Sequence, residues 1–370
     1  MNEDKATRYH RLRRRAGLAA TALGACLLLL LMVTGRSVSL RETAAALANG
    51  SFFLTVVIYV VLLALLSEAV ELPLAFYQGV TLERRYGLST QTTTRWWVDR
   101  AKANAVGLAL AVIGALIVCH LLRWSPEHWW IVAAACSGAI LVLFAQLAPV
   151  LLLPLFYTVK PLQRPALVDR LVALAQRAGA RVLGVFEWRL SDRTRKANAV
   201  LTGIGRTRRI LLSDTLLTEH SDDEIEVILA HELAHHVHHD IWKGMTLETL
   251  LVTLGFYLAD RVLEASTGRL GLAGKDDVAM LPLLVLTGGA VSIVLLPLVN
   301  AFSRAHERRA DRYALDMTKN AVAFMSAMKR LGAQNLAEER PSRLVELLFH
   351  SHPPIAARLE AARAWESRRT

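Results

Sequence analysis

Residues 221–240 read SDDEIEVILAHELAHHVHHD. The stretch opens like a capped helix: Ser221 is placed to accept from a first-turn amide, and Glu224 to reach back to the Ser221 amide. Asp222, Asp223 and Glu224 suit the positive end of the helix dipole. Ile225, Leu229 and Leu233 recur every four residues and make one buried stripe. His231 and His235, one turn apart, project side by side from a second stripe, where two imidazoles can share a metal. Glu232 stands beside them, off the ligand line, where it can act on water rather than on the metal.

The spacing is the H-E-x-x-H arrangement of zinc peptidases, and a catalytic zinc needs a third protein ligand and one open position. A third His at the longer H-E-x-x-H-x-x-G-x-x-H spacing is ruled out, because His238 and Ile241 stand at the Gly and His places. A downstream Glu is the remaining usual solution, with Glu248, Glu264 and Glu307 as candidates. Only Glu307 has an acid one turn further along its own helix, Asp311, able to orient a ligand imidazole from behind. Asn300, Arg304, Glu307 and Asp311 form one polar stripe at helical spacing, while Arg308 and Arg309 fit a solvated side. Glu307 is therefore the favoured third ligand of a single zinc, with Asp311, Asn300 and Arg304 supporting it. His236, His238 and His239 read as solvated. His352, alone before Pro353-Pro354, reads from its neighbours only as a turn residue.

Around this helix lies a chain of 370 residues, 54% hydrophobic, with a mean hydropathy of +0.34. Its apolar residues gather into long blocks, which makes it a polytopic membrane protein in contact with the lipid bilayer. The net charge of +11 sits mainly beside those blocks. It forms no aromatic-studded basic domain, which excludes nucleic acid as the partner. Cys26, Cys119 and Cys136 all fall inside apolar blocks and offer neither a disulfide framework nor a thiolate metal site.

Six apolar blocks, at about 16–35, 52–74, 103–122, 129–157, 245–263 and 278–299, predict six membrane spans. The first runs on past Leu23-Gly24-Ala25-Cys26, a lipobox-like tetrapeptide, so it is expected to remain uncleaved. Glu68 and Glu71 near the end of the second suit either a wet interior, a partner or an interfacial position. A polar, aromatic loop is expected over 77–100. Pro161 and Pro165 mark the exit from the membrane. The chain thus divides into an N-terminal membrane domain of four spans (1–160) and a metallopeptidase domain (161–370) interrupted by two spans. Past the linker, 166–178 has helical periodicity and 182–188, 199–202 and 209–212 read as strands. The last two flank Gly203-Ile204-Gly205, a hairpin signal. Residues 303–370 are charged and largely helical. Six spans put both termini on one side. Segments 1–16 and 76–102 hold eleven Lys and Arg against five in 36–50, 123–128 and 265–277, which places the H-E-x-x-H helix in the cytosol.

HELAHH (231–236), SRAHERRAD (303–311) and SHPPIAARLE (351–360) follow KANAVLTGIGRTRRILLSDTLL (196–217). The membrane half adds ELPLAFYQGVTLERRYGLSTQT (71–92). Together these five motifs, in order over about residues 60–360, resemble the type I CAAX prenyl proteases and their bacterial relatives, integral-membrane gluzincins. The resemblance implies His231, His235 and Glu307 as zinc ligands, Glu232 as general base and Asp311 behind a ligand. It also implies His352 and Arg358 as support for the transition state, and Asn198-Ala199 on a strand that pairs with substrate backbone. Members of the family enclose a large chamber in the membrane with zinc at its cytosolic end. This chain departs from the eukaryotic enzymes in having six expected spans rather than seven and in lacking an insertion before H-E-x-x-H, and its compactness suits a bacterial member.

The sequence therefore leads to a mainly α, polytopic membrane protein of about six transmembrane helices with a cytosolic α+β zinc-peptidase domain. The expected activity is a zinc-dependent endopeptidase of the cytoplasmic membrane, cutting peptides or membrane-associated proteins. Residues 199–202 fit a central or an edge strand. The edge reading is adopted, with Asn198, Ala199 and Val200 binding an extended substrate by main-chain pairing. Two rivals stand beside this: an HtpX-type quality-control protease for damaged membrane proteins, and a non-catalytic transporter or scaffold. The complete set of ligands and base weighs against the last.

Overall fold

The computed structural model describes residues 4–203, 208–269 and 271–369, and for 148–152 the backbone alone. Helix α1 (Lys5–Val33) begins inside the basic N-terminal segment, which contains neither Gly nor Pro to break it. Gly35, at φ +70°, turns the chain into α2 (Arg36–Leu47). At 12 residues α2 is too short to cross a bilayer, and it occupies the stretch expected as an outer loop. Helix α3 (Phe52–Phe76) continues through a π-helical turn (Tyr77–Leu82) into α4 (Glu83–Arg85), and α5 (Thr93–Trp124) follows. The loop expected over 77–100 is therefore mostly helical. Pro73 removes a ladder donor one turn before the π turn. Gly79 inside it lets α5 come close, since a Cβ there would meet Trp96 Nε1 at 2.5 Å. Glu68 has a partner rather than a wet surrounding: Arg100 grips it in a fork at 2.9 and 2.6 Å. Helix α6 (Trp129–Phe156) completes the N-terminal half.

Outside the bundle come β1 (Val159–Pro161), α7 (Pro165–Arg177), β2 (Val185–Trp188), β3 (Ala199–Thr202) and β4 (Arg209–Ser213). Among the described residues these strands form one four-stranded sheet in the order β1-β2-β4-β3, with β2 and β4 parallel and the other pairs antiparallel. β3 is thus an edge strand. It pairs with β4 as the hairpin signal requires, although the turn at 204–207 lies outside the described residues. Then follow α8 (Asp214–Glu219), α9 (Asp222–Val237), α10 (Asp240–Ser266), α11 (Leu281–Thr318), α12 (Ala321–Gln334), α13 (Arg343–Phe349) and α14 (Ile355–Glu366). Ile225, Leu229 and Leu233 of α9 are buried against Leu167, Leu171 and Leu174 of α7, Ile210 and Leu212 of β4, and Phe324 of α12. Each such side chain contributes roughly 1.5–3 kcal/mol relative to exposure, so α9 is held on its apolar face while its histidine face points elsewhere.

Five helical stretches among the described residues are long and apolar enough to cross a membrane: Lys5–Val33, Phe52–Arg85, Thr93–Trp124, Trp129–Leu147 and Val278–Thr318. The expected sixth, 245–263, forms as the middle of α10, but Glu248, Asp260 and Arg261 interrupt its apolar run and it stays outside that set. It nevertheless spans the height of the bundle between α6 and α11. Asp240 at its start faces the site described below. Asp260 lies on the last turns and accepts from Trp129 Nε1 at 2.8 Å and Lys275 Nζ at 2.9 Å. The same far end gathers the connections after α1, α5 and α10, through Ser37 to the Ala279 carbonyl at 2.7 Å and Arg123 to Asp276 at 3.1 Å. The chain is a multi-pass membrane protein.

Candidate active site

The capping box at Ser221 and Glu224 is formed in both directions. It starts α9 in the phase that aims His231 and His235 away from the core, with ring centroids 5.1 Å apart. Glu307 comes to them from α11. His231 Nε2 lies 3.2 Å from Glu307 Oε2, and His235 Nε2 3.4 Å from Glu307 Oε1. One ligand atom from each residue falls within 4.8 Å of the other two. Each imidazole is backed at its other nitrogen: His231 Nδ1 is 3.0 Å from Asp311 Oδ1, and His235 Nδ1 3.1 Å from Asp240 Oδ2. A carboxylate behind Nδ1 fixes the N–H there and leaves the Nε2 lone pair facing inward. Glu307 Oε2 is buried and makes no well-formed hydrogen bond among the described residues, although His231 and His352 approach it. Two ring nitrogens and a buried carboxylate oxygen with unused acceptor capacity suit a divalent transition metal.

Asp240 closes the quoted stretch and was not singled out by its spacing. Five residues from His235, it would face away from it in an unbroken helix. His239 breaks the helix at φ +57°, and the chain turns Asp240 back under His235. Arg309 then covers the other Asp240 oxygen, so this arginine belongs to the site's support and not to a solvated face.

Burial raises the Glu232 carboxyl above its ordinary value, against the pull of the two imidazoles. Burial lowers His231, but the Asp311 and Glu307 carboxylates outweigh it and lift the imidazole to about 9. His235 is raised in the same way, with Glu307 and Asp240 overcoming burial.

Glu232 lines a cavity of about 440 Å³ together with Asn198, Ala199, His352 and Arg358. His352 is brought from far along the chain to the mouth of the site, with Nδ1 2.8 Å from Glu307 Oε2 and a side chain still 63% exposed. Arg358 is tied back: its Nε donates to Asp311 Oδ2 at 2.9 Å and its Nη2 stands 3.4 Å from His231 Nδ1. Among the described residues, the hydrogen bonds of Asn300 and Arg304 go to a later segment and not to the ligand residues. Asn300 Nδ2 donates to the Leu348 carbonyl at 2.9 Å, and Arg304 Nη1 to the carbonyls of Glu346 and His350 at 2.9 and 2.6 Å. They fasten the segment that leads to His352. Glu264 is excluded as a ligand by its place at the far end, 3.2 Å from Lys275.

The edge strand needs one correction. Asn198 turns its main chain toward β4, its N–H to Ser213 Oγ at 3.0 Å and its carbonyl to Ser213 N–H at 2.9 Å. Antiparallel alternation then turns Val200, opposite Leu211, inward as well, and leaves Ala199 and Leu201 on the open edge.

The chain matches the profile of Peptidase family M48 over residues 161–366, and over 2–158 that of the CAAX prenyl protease N-terminal region with five membrane helices. Within 2–158 the long described helices are α1, α2, α3, α5 and α6, of which α2 is too short to span. Over 345 residues the chain is 30% identical to the uncharacterized metalloprotease YhfN of Bacillus subtilis, covering 92% of this chain and 80% of that one. It is 29% identical over 332 residues to CAAX prenyl protease 1 of Saccharomyces cerevisiae, covering 81% and 70%. Its fold superposes on the crystal structure of S. mikatae Ste24p with a TM-score of 0.85 at 23% identity, over 97% of this chain and 87% of that chain. Sequence, fold and site agree: this chain belongs to peptidase family M48, as a membrane metallopeptidase of the CAAX prenyl protease type.

Proposed function

We propose that the metal is zinc, one ion per chain, held by His231, His235 and Glu307, and that the chain is an endopeptidase of the cytoplasmic membrane. Its substrates are peptides or membrane-associated proteins, cut on the cytosolic side. One observation carries this reading: two imidazole Nε2 atoms converge on one carboxylate, each with a second carboxylate behind it, beside a glutamate in a cleft with an open strand edge. Bound zinc supplies Lewis acidity toward a carbonyl oxygen and makes water a stronger acid. Glu232 takes the proton of the attacking water on its carboxylate and passes it to the departing amine. The raised affinity of its carboxyl for protons suits both halves of that transfer. His352, exposed at the cavity mouth and within reach of Glu307, is placed to stabilise the oxygen that gains charge, and Arg358 holds Asp311 against His231. Ala199 and Leu201 offer main-chain donors and acceptors to an extended substrate. The cytosolic placement is supported by the eleven-to-five Lys and Arg excess. It is supported also by packing of both inner segments on the peptidase unit, where Arg14 of the N-terminal segment pairs with Glu338 and Glu83 of the 76–102 segment lies 3.1 Å from Lys196.

The test is Glu232→Gln, which keeps the shape and removes the base. Metal content by mass spectrometry should stay at one zinc per chain and the thermal midpoint should hold, while turnover falls by about two to four orders of magnitude. Loss of metal or aggregation of the variant would assign Glu232 a structural role instead.

A further inference from the structure

The open side of β3 does not stay open along its whole approach. The alternation that exposes Ala199 and Leu201 also turns Ala197 to the same side. There the Asn335 side chain is already seated: Ala197 N–H donates to Asn335 Oδ1 at 3.0 Å, and Asn335 Nδ2 donates to the Ala197 carbonyl at 3.3 Å. One carboxamide thus makes both bonds that a paired strand would make with Ala197. Gln334 does half of this one step further out, its Nε2 donating to the Arg195 carbonyl at 2.9 Å.

Asn335 is held in place from its own side. It caps the end of α12 with its N–H on the Leu331 carbonyl at 2.9 Å. The next residue, Leu336, sits at φ +50°, and its carbonyl is bound by His10 Nε2 of α1 at 2.8 Å. Two residues on, buried Glu338 receives Arg14 Nη2 and His350 Nε2, each at 3.2 Å. Asn335 and Glu232 also line the same cavity.

We infer that Asn335 is a register stop, a specificity-determining residue that occupies one pairing position of the substrate edge. The inference rests on the edge-strand reading of substrate binding given above. A peptide laid along β3 finds Ala199 and Leu201, and then meets a position already filled. Because strand faces alternate with period two, a substrate shifted by one residue would present the wrong side chains to the cleft. A shift of two residues keeps the faces but needs the pairing position at Ala197, which Asn335 already fills, so one register and one scissile bond are selected.

The experiment uses the full chain in detergent and a casein-derived decapeptide that the wild type cuts at one bond. Single N-methyl groups are placed on each peptide amide in turn. In the wild type two amides, two residues apart, should be sensitive, each methyl lowering kcat/KM by about three- to tenfold for one lost strand bond. With Asn335→Ala a third sensitive amide should appear two residues beyond, and mass spectrometry should find additional cuts displaced by two residues. Asn335→Ser, whose shorter side chain makes neither bond to Ala197, should give the same third amide and serves if the alanine variant folds poorly. Two sensitive amides and a single cut in a folded variant would overturn the register stop while leaving the edge reading intact. No sensitive amide in the wild type would remove the edge reading, and the stop with it.

Discussion

Across the break that His239 makes between α9 and α10, His235 Nδ1 meets Asp240 Oδ2 at 3.1 Å. It is the counterpart of the His231–Asp311 pair, so both imidazoles are oriented by acids on other helices. Asp240→Ala should lower metal affinity by about 10- to 100-fold, read by competition with a fluorescent chelator. Asp240→Asn, which keeps an acceptor but not the charge, should fall between. Unchanged affinity in both variants would reduce Asp240 to a helix-end anchor for Arg309.

The metal-free protein should show a pH dependence of its own. His231 is held at about 9 in the fold, against an unfolded value near 6.5. Its protonation therefore stabilises the metal-free chain fully below about pH 6.5, and that contribution is lost as pH rises through about 9. Metal binding needs the neutral imidazole, so affinity should move the other way, rising by up to about tenfold per pH unit for each proton released. Chelator-stripped protein should melt progressively lower from pH 6.5 to 9.5. A midpoint that climbs across that window would mean His231 is neutral without metal.

What was legible in the sequence was local. The capping box, the buried stripe and the paired histidines all follow from helical spacing, and Glu307 with Asp311 follows from the same period on a second helix. What was hidden needed chain breaks or distant partners. Asp240 depends on one left-handed residue. Arg304 and Asn300 fall on the expected stripe, yet their partners at 346–350 come from a later segment that spacing cannot bring near. The inward duty of Val200 depends on which way Asn198 pairs, a choice of hydrogen-bond phase that side-chain pattern does not encode. Helix α2 and the π turn lie in stretches that read as loops because neither has a clean apolar period.

Arg304 offers a way to separate positioning from metal binding. Its guanidinium holds the carbonyls of Glu346 and His350, and His352 follows two residues on. Arg304→Ala should leave zinc stoichiometry unchanged and lower kcat by about ten- to a hundredfold, the scale on which small misplacements act. Loss of zinc with normal kcat at saturating metal would return Arg304 to the support of the ligands.

Val200 and Leu201 are neighbours whose main chains face opposite ways, and proline distinguishes them. Val200 N–H points at β4, opposite Leu211, so Val200→Pro removes a bond that joins the edge strand to the sheet. That variant should lose stability by about 1–3 kcal/mol, with any loss of activity tracking the unfolded fraction. Leu201 N–H points away from β4 at an edge, where proline is tolerated. Leu201→Pro should keep its thermal midpoint and its zinc and raise KM by about three- to tenfold, the cost of one substrate bond. Should Leu201→Pro cleave with wild-type KM while Val200→Pro stays folded and loses binding, the phase of β3 is the reverse of that described, and the substrate edge would be formed by Asn198 and Val200.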